Sequence, residues 1–204
     1  MTYALVQWGN YLFHITHEEN VPGILARGVC SKNLAARENI SYRSIADEGI
    51  QLRRGATDVP IGNRGTLHDY VPLFFGARPT MLYPVRYRVS QSSIFYLIVD
   101  WTVLSLDTTV FTDGNASTGG TEYFQGIENL GRVDQTVAGA IWWNTSDEVR
   151  RKKAAEVLVW EHLEIDHVKI MAVMNDEAKA RAEAMIRARK LDIPVVVAPE
   201  FYYR

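Results

Sequence analysis

Residues 11–25, YLFHITHEENVPGIL, bring His14, Thr16 and His17 close together along the chain. Two histidines three apart are a possible pair of metal ligands, a His-x-Thr is a possible nucleotide clamp, and a threonine before an apolar stripe is a possible helix cap. Metal is the weakest of these. If Thr16 starts a helix, His14 and His17 leave different kinds of backbone. His68, Asp69, His162 and His167 are scattered, whereas zinc needs three or four converging ligands. Acyl-transfer chemistry finds no G-x-S-x-G turn. Cys30, the single cysteine, follows a helix C-terminus, where the dipole disfavours a thiolate. Phosphate-cradling P-loop and G-x-G-x-x-G patterns are absent. Four features survive: His14-x-Thr16, the Arg53–Arg54 pair, the run YVPLFFGARP and Glu156 at the head of a strand. Taken singly, each reads more readily as core or solvated surface than as a functional group.

The elements that must position these residues follow from the apolar pattern. A short strand is expected over residues 11–15, then a helix through THEENVPGILARG, with Thr16 and Glu19 at capping-box spacing and Gly28 ending it. A weaker helical pattern covers 41–53, and 54–69 is a loop rich in Gly, Asp, Asn and Pro. Residues 70–89 suggest a strand, a turn and a short extension. SIFYLIVDW is apolar almost throughout and reads as a strand buried on both faces. A strand is expected at 107–111, a flexible loop at TDGNASTGG, and helical or irregular chain to about 143. NTSDEVRRKKA opens on cap-like residues, and AEVLVWEHL alternates as a strand. VKIMAVM and IPVVVAP read as strands flanking NDEAKARAEAMIRARK, a helix capped by Asn175 with acids first and bases last. The sum is a single α+β domain over residues 1–204, with a core of mixed and antiparallel sheet and flanking helices.

Bulk properties narrow the partners. The 204 residues suffice for one core, and a net charge of −2 excludes a basic sheath for duplex DNA, so any nucleic acid must meet a local patch. One cysteine excludes an internal disulfide framework and suits an intracellular protein. No signal peptide or membrane-length apolar run is evident, so no membrane partner is expected.

In order, FHITHEENVPGIL, IQLRRGA, LHDYVPLFFGARPTMLY, FTDGNAS, RRKKAAEVLV and PEFYYR have the layout of the ADP-ribosyltransferase fold. The chain resembles, from residue 13 to its end, the DarT family of DNA ADP-ribosyltransferase toxins. The resemblance implies a bacterial, cytoplasmic, monomeric enzyme that uses NAD⁺ as co-substrate and transfers ADP-ribose to a base of single-stranded DNA, most often thymidine. It also implies a macrodomain antitoxin that removes the mark, and toxicity on expression. His14 and Thr16 match the NAD-binding His-x-Thr, with Asn20 and Gly23 in the adjoining motif. Arg54 matches an arginine that contacts diphosphate and ribose and supports transfer. Phe75 falls where many members carry Tyr, which keeps a stacking role toward nicotinamide and loses a hydroxyl. Glu156 matches the catalytic glutamate. Arg78, Tyr123, Arg151 and Lys153 are candidate DNA contacts, as are Arg86, Arg88 and the loop of residues 112–126. A guanosine-modifying relative, an RNA-directed enzyme of the same fold and a non-catalytic single-strand-binding module are the alternatives. A pure binder has no use for a carboxylate facing a polyanion, which argues against the last.

Overall fold

The computed structural model describes residues 10–141 and 146–203. Eight strands form one sheet in the order β10-β9-β4-β1-β3-β7-β5-β6. They are β1 (Tyr11–His17), β3 (Tyr70–Phe74), β4 (Ile94–Asp100), β5 (Thr109–Thr112), β6 (Tyr123–Phe124), β7 (Glu156–Trp160), β9 (Val168–Val173) and β10 (Val195–Val197). Only β9 and β10 run parallel; every other neighbouring pair is antiparallel. A small second sheet pairs β2 (Val29–Cys30) with β8 (His162–Leu163). This is the expected α+β class with a mostly antiparallel core.

The continuous apolar run of β4 is buried on both faces because both faces are covered. On one, Phe95, Leu97 and Val99 join Leu12, Met171 and the inward stripes of α1 (Val21–Arg27) and α7 (Asp176–Ala188). On the other, Tyr96 and Ile98 pack with Phe13, Ile15, α4 (Leu82–Val85) and the C-terminal Phe201 and Tyr202. Asn175 caps α7 by accepting from the Ala178 amide at 2.9 Å, as its sequence predicts. Gly28, at φ +80°, ends α1 where a Cβ would lie 2.4 Å from the Leu163 carbonyl.

Several local expectations change. Thr16 does not cap a helix: β1 pairs residue by residue with β4 as far as His17↔Ile94. His17 does the capping, its Nδ1 accepting from the Glu19 amide at 3.2 Å ahead of the one-turn helix Glu18–Asn20. The helix over 41–53 shortens to α3 (Glu48–Gly55), and α4 replaces the extension after β3. Pro84 is tolerated there because it sits in a first turn, where its missing N–H has no partner to lose. The helix α2 (Lys32–Arg37), capped by Ser31, was not anticipated. In α6 (Asp147–Lys153) the cap is Ser146; Asn144 and Thr145 lie outside the described residues. Among the described residues no helix is long and apolar enough to cross a membrane.

Candidate active site

The sheet is weakest between β1 and β3, where Phe13↔Phe74 is the single registered pair. Pro72, in the middle of β3, has no amide to give a ladder there. The His14 side chain fills that gap: Nδ1–H donates to the Pro72 carbonyl at 3.0 Å, which fixes the tautomer and leaves Nε2 as an acceptor. Burial lowers the pKa of His14 despite that bond, so the ring is neutral near pH 7.

A cleft of about 460 Å³ opens at this seam, lined by His14, Thr16, Asn20, Gly23, Arg54 and Glu156 among others. β3 carries the register across it, since Phe74 lies opposite Phe13 on one side and Glu156 on the other. Glu156 is 3% exposed. Nη1 of Arg54, from the last turn of α3, lies 3.0 Å from its Oε1 and 2.9 Å from its Oε2. The Ala116 amide donates to Oε1 at 3.3 Å. Arg54 Nη2 is buried and makes no hydrogen bond to the described residues. A buried donor without a partner is costly, and a cleft-lining guanidinium with one arm spare suits an anionic or carbonyl-bearing substrate.

The loop after β5 is braced behind Glu156. Thr112 Oγ1 accepts from the Glu156 amide at 3.1 Å and donates to the Gly114 carbonyl at 2.6 Å. Arg151 grips Asp113 through two nitrogens at 3.0 and 3.1 Å and also meets Glu148 at 2.9 Å. Gly114 makes room, because a Cβ would lie 2.4 Å from Arg151 Nη1. Tyr123 donates its hydroxyl to the Ala116 carbonyl at 2.6 Å. Burial and the Glu156 charge push that phenol up to about 12. The loop expected to be flexible is thus tied at several points, and it presents the Ala116 amide to the carboxylate.

The predicted residues divide. His14, Thr16, Asn20, Gly23, Arg54 and Glu156 meet in the cleft. Asn20 spends its amide internally, on Thr16 Oγ1 at 3.1 Å and on the Arg43 backbone at 2.9 and 2.7 Å, so it anchors a wall. A Cβ on Gly23 would meet nothing within 4 Å, so that position leaves open space over the cleft. Phe75 is not on the cleft. It is 8% exposed, packs edge-to-face on Trp101 at 6.0 Å and lines a separate cavity of about 470 Å³; its neighbour Phe74 lines the cleft wall, as does Tyr42. Tyr123 and Arg151 brace the loop. Lys153 is 2% exposed, with Nζ on the Ala138 carbonyl at 2.5 Å, so no backbone phosphate can reach it. Thr112, Asp113 and Ala116 belong to the loop of residues 112–126 considered for DNA, and their bracing of the chain behind Glu156 was not anticipated; Ala116 acts through its backbone, which no side-chain pattern reveals. His14 and His17 share one strand after all, but three apart they point to opposite faces. No group of three or more metal-capable side chains occurs among the described residues. Cys30 is held above the ordinary thiol range by burial and Glu38.

Burial and the nearby Arg78 charge push the Lys153 ammonium down to about 8. Between that value and the ordinary 10.5 the unfolded chain holds a proton the folded chain has released, so stability rises with pH across this window. Below pH 8 the full penalty, at most about 3 kcal/mol, is present. Lys153→Met is therefore expected to be more stable than the parent at pH 7, by about 1–2 kcal/mol once the lost Ala138 contact is allowed for. Denaturation from pH 7 to 9.5 should show that gap closing as pH rises. Parallel curves would mean the burial costs nothing.

A family model for "ssDNA thymidine ADP-ribosyltransferase, DarT" matches residues 13–203. A DNA ADP-ribosyl transferase of Thermus aquaticus is 32% identical, over 95% of this chain and 89% of its own length. A DNA ADP-ribosyl transferase–DNA ADP-ribosyl glycohydrolase fusion protein of Thermosipho africanus is 28% identical, over 94% of this chain and 49% of the fusion. The structure of Thermus sp. 2.9 DarT in complex with ADP-ribosylated ssDNA superimposes with a TM-score of 0.86 at 28% identity, over 96% of this chain and 97% of that one. The same protein in complex with NAD⁺ gives 0.84 at 25% identity, over 99% and 100%. With the family model spanning nearly all of it and a relative 32% identical over 95% of it, the chain belongs to the DarT family of DNA ADP-ribosyltransferases.

Proposed function

We propose that residues 1–204 act as one domain that transfers ADP-ribose from NAD⁺ to thymidine in single-stranded DNA, as the toxin of a toxin–antitoxin pair. The observation that carries this reading is the buried Arg54–Glu156 pair at the end of a cleft lined by His14 and Thr16. His14 and Thr16 would hold ribose hydroxyls and the amide end of the nicotinamide, with His14 Nε2 available as an acceptor. The glycosidic bond breaks with its electron pair leaving on nicotinamide, and positive charge develops on the ribose. Glu156, fixed by Arg54 and the Ala116 amide, faces that charge as a preorganised counterion. The attacking thymine nitrogen carries a proton that must leave as the new carbon–nitrogen bond forms. Glu156 would take it. Arg54 stays charged and cannot be the base, but its spare Nη2 can stabilise the thymine anion. A single strand presents the base without the cost of unpairing it.

The thymidine acceptor is supported by the matched family's description. An antitoxin that hydrolyses the mark is supported by the glycohydrolase fused to the Thermosipho relative. The test is incubation with NAD⁺ and single strands differing only in thymidine and guanosine content, with products read by mass spectrometry. One ADP-ribose that follows thymidine is expected. An adduct that follows guanosine would move the protein to the sibling specificity, and none on any strand would remove DNA as the acceptor.

A further inference from the structure

The segment that supplies Thr80, Met81 and Pro84 to the cleft wall also carries side chains that the cleft does not use. Tyr83 and Tyr87, four apart, meet edge-to-face with ring centroids 6.1 Å apart. The Arg86 guanidinium lies over both rings, 4.1 Å from the centre of Tyr83 and 4.6 Å from that of Tyr87. Tyr203 meets Tyr83 edge-on at 5.3 Å, and Arg78 lies 5.4 Å over the Tyr203 ring. Gln91 fixes Tyr203 by bonding both its carbonyl, at 2.6 Å, and its amide, at 2.9 Å. Yet Tyr87 is 70% exposed and Tyr83 39%.

Exposed rings held rigid by neighbouring guanidinium groups are a costly way to finish a surface, because apolar area stays in water. They are well suited to a single strand. Unpaired bases stack on aromatic faces, and guanidinium groups pair with the phosphates between them. A duplex offers no free base faces, and an acidic peptide has no rings to stack. With an overall charge of −2 the net field does not attract a strand, so a local patch such as this one is needed to hold it.

We propose that Tyr83, Arg86, Tyr87, Tyr203 and Arg78 form a stacking platform for nucleotides flanking the base that is modified. This rests on single-stranded DNA being the acceptor, and it adds where the rest of the strand lies. The cleft treats one nucleotide, and the platform holds its neighbours.

The experiment is a length series. Strands carrying the modified base are extended by one nucleotide at a time on either side. KM and kcat for adduct formation are compared between the parent and Tyr87→Ala, an exposed change that leaves the core intact. Stacking on one ring is worth ~1–3 kcal/mol, so a rise in KM of roughly 5- to 150-fold is expected, confined to strands that extend past the base. The kcat, the NAD⁺ affinity and the activity on the shortest strand should hold, and Tyr87→Phe should restore the parent KM. Independently, Arg86→Gln should reduce the salt dependence of strand binding by about 0.7 in the log–log slope. No rise in KM at any length, or an equal rise on the shortest strand, overturns the platform. Failure of the parent to modify any strand would instead reject DNA as the acceptor, and is seen before a variant is made.

Discussion

Glu156→Gln is expected to lower the rate of ADP-ribose transfer by about 10³-fold while leaving NAD⁺ affinity within a few-fold. The substitution keeps the shape of the side chain and an oxygen for the Ala116 amide, which donates to Oε1 at 3.3 Å. What it removes is charge, at a site 3% exposed where charge is weakly screened. On the proposed mechanism that charge is needed only as the ribose becomes cationic, so its loss should fall on the transition state and not on substrate binding. Glu156→Asp provides a second reading: the carboxylate survives but retreats along the cleft, and a misplacement of this size costs about 10²-fold. The measurement is adduct formation under saturating NAD⁺, followed by mass spectrometry, beside calorimetric NAD⁺ affinity. A Gln variant as fast as the parent, or one whose whole defect lies in NAD⁺ affinity, would refute a carboxylate acting on the reacting centre.

Where sequence reasoning placed an element well, local and tertiary demands agreed. β4 and β9 are apolar runs in a sheet covered on both faces, and α7 has a cap, an inward stripe and complementary end charges. Where they disagreed, tertiary pairing won. Thr16-x-x-Glu19 is a sound capping box on local rules, but seven consecutive pairs with β4 hold the chain extended through His17. Phe74 and Phe75 are indistinguishable in type and differ only in parity. Parity decides which faces the cleft, yet where the sheet would part is a matter of β1 and β3 meeting at one pair. In α6, Arg151 and Lys153 are candidate DNA contacts on charge alone. A helix so short turns one residue inward, and here that residue is Lys153. Glu156 and Arg54 were legible through the family resemblance and not through their positions, because an arginine ending a helix is ordinary and a glutamate opening a strand reads as solvated when taken singly. Their contact, 102 residues apart in the chain, was not.

Arg54→Ala is expected to be the most damaging single change to both stability and activity, and the two losses are separable. Arg54 and Glu156 side chains are 11% and 4% exposed, so deleting the guanidinium leaves a buried carboxylate without its cation, at a cost of about 3–5 kcal/mol. The variant should therefore unfold well before the parent at neutral pH, and its transfer rate should be depressed even under conditions where it is fully folded. Arg54→Lys distinguishes charge from geometry. One ammonium can neutralise Glu156 as Nη1 does now, and most of the stability should return. It cannot also present a second donor where Nη2 lies buried and unbonded, so transfer should remain depressed by about 10²-fold. Melting curves and transfer rates for the two variants decide the matter. If Lys restores the parent rate, Arg54 is only a counterion, and the stabilisation of the acceptor anion must come from elsewhere in the cleft.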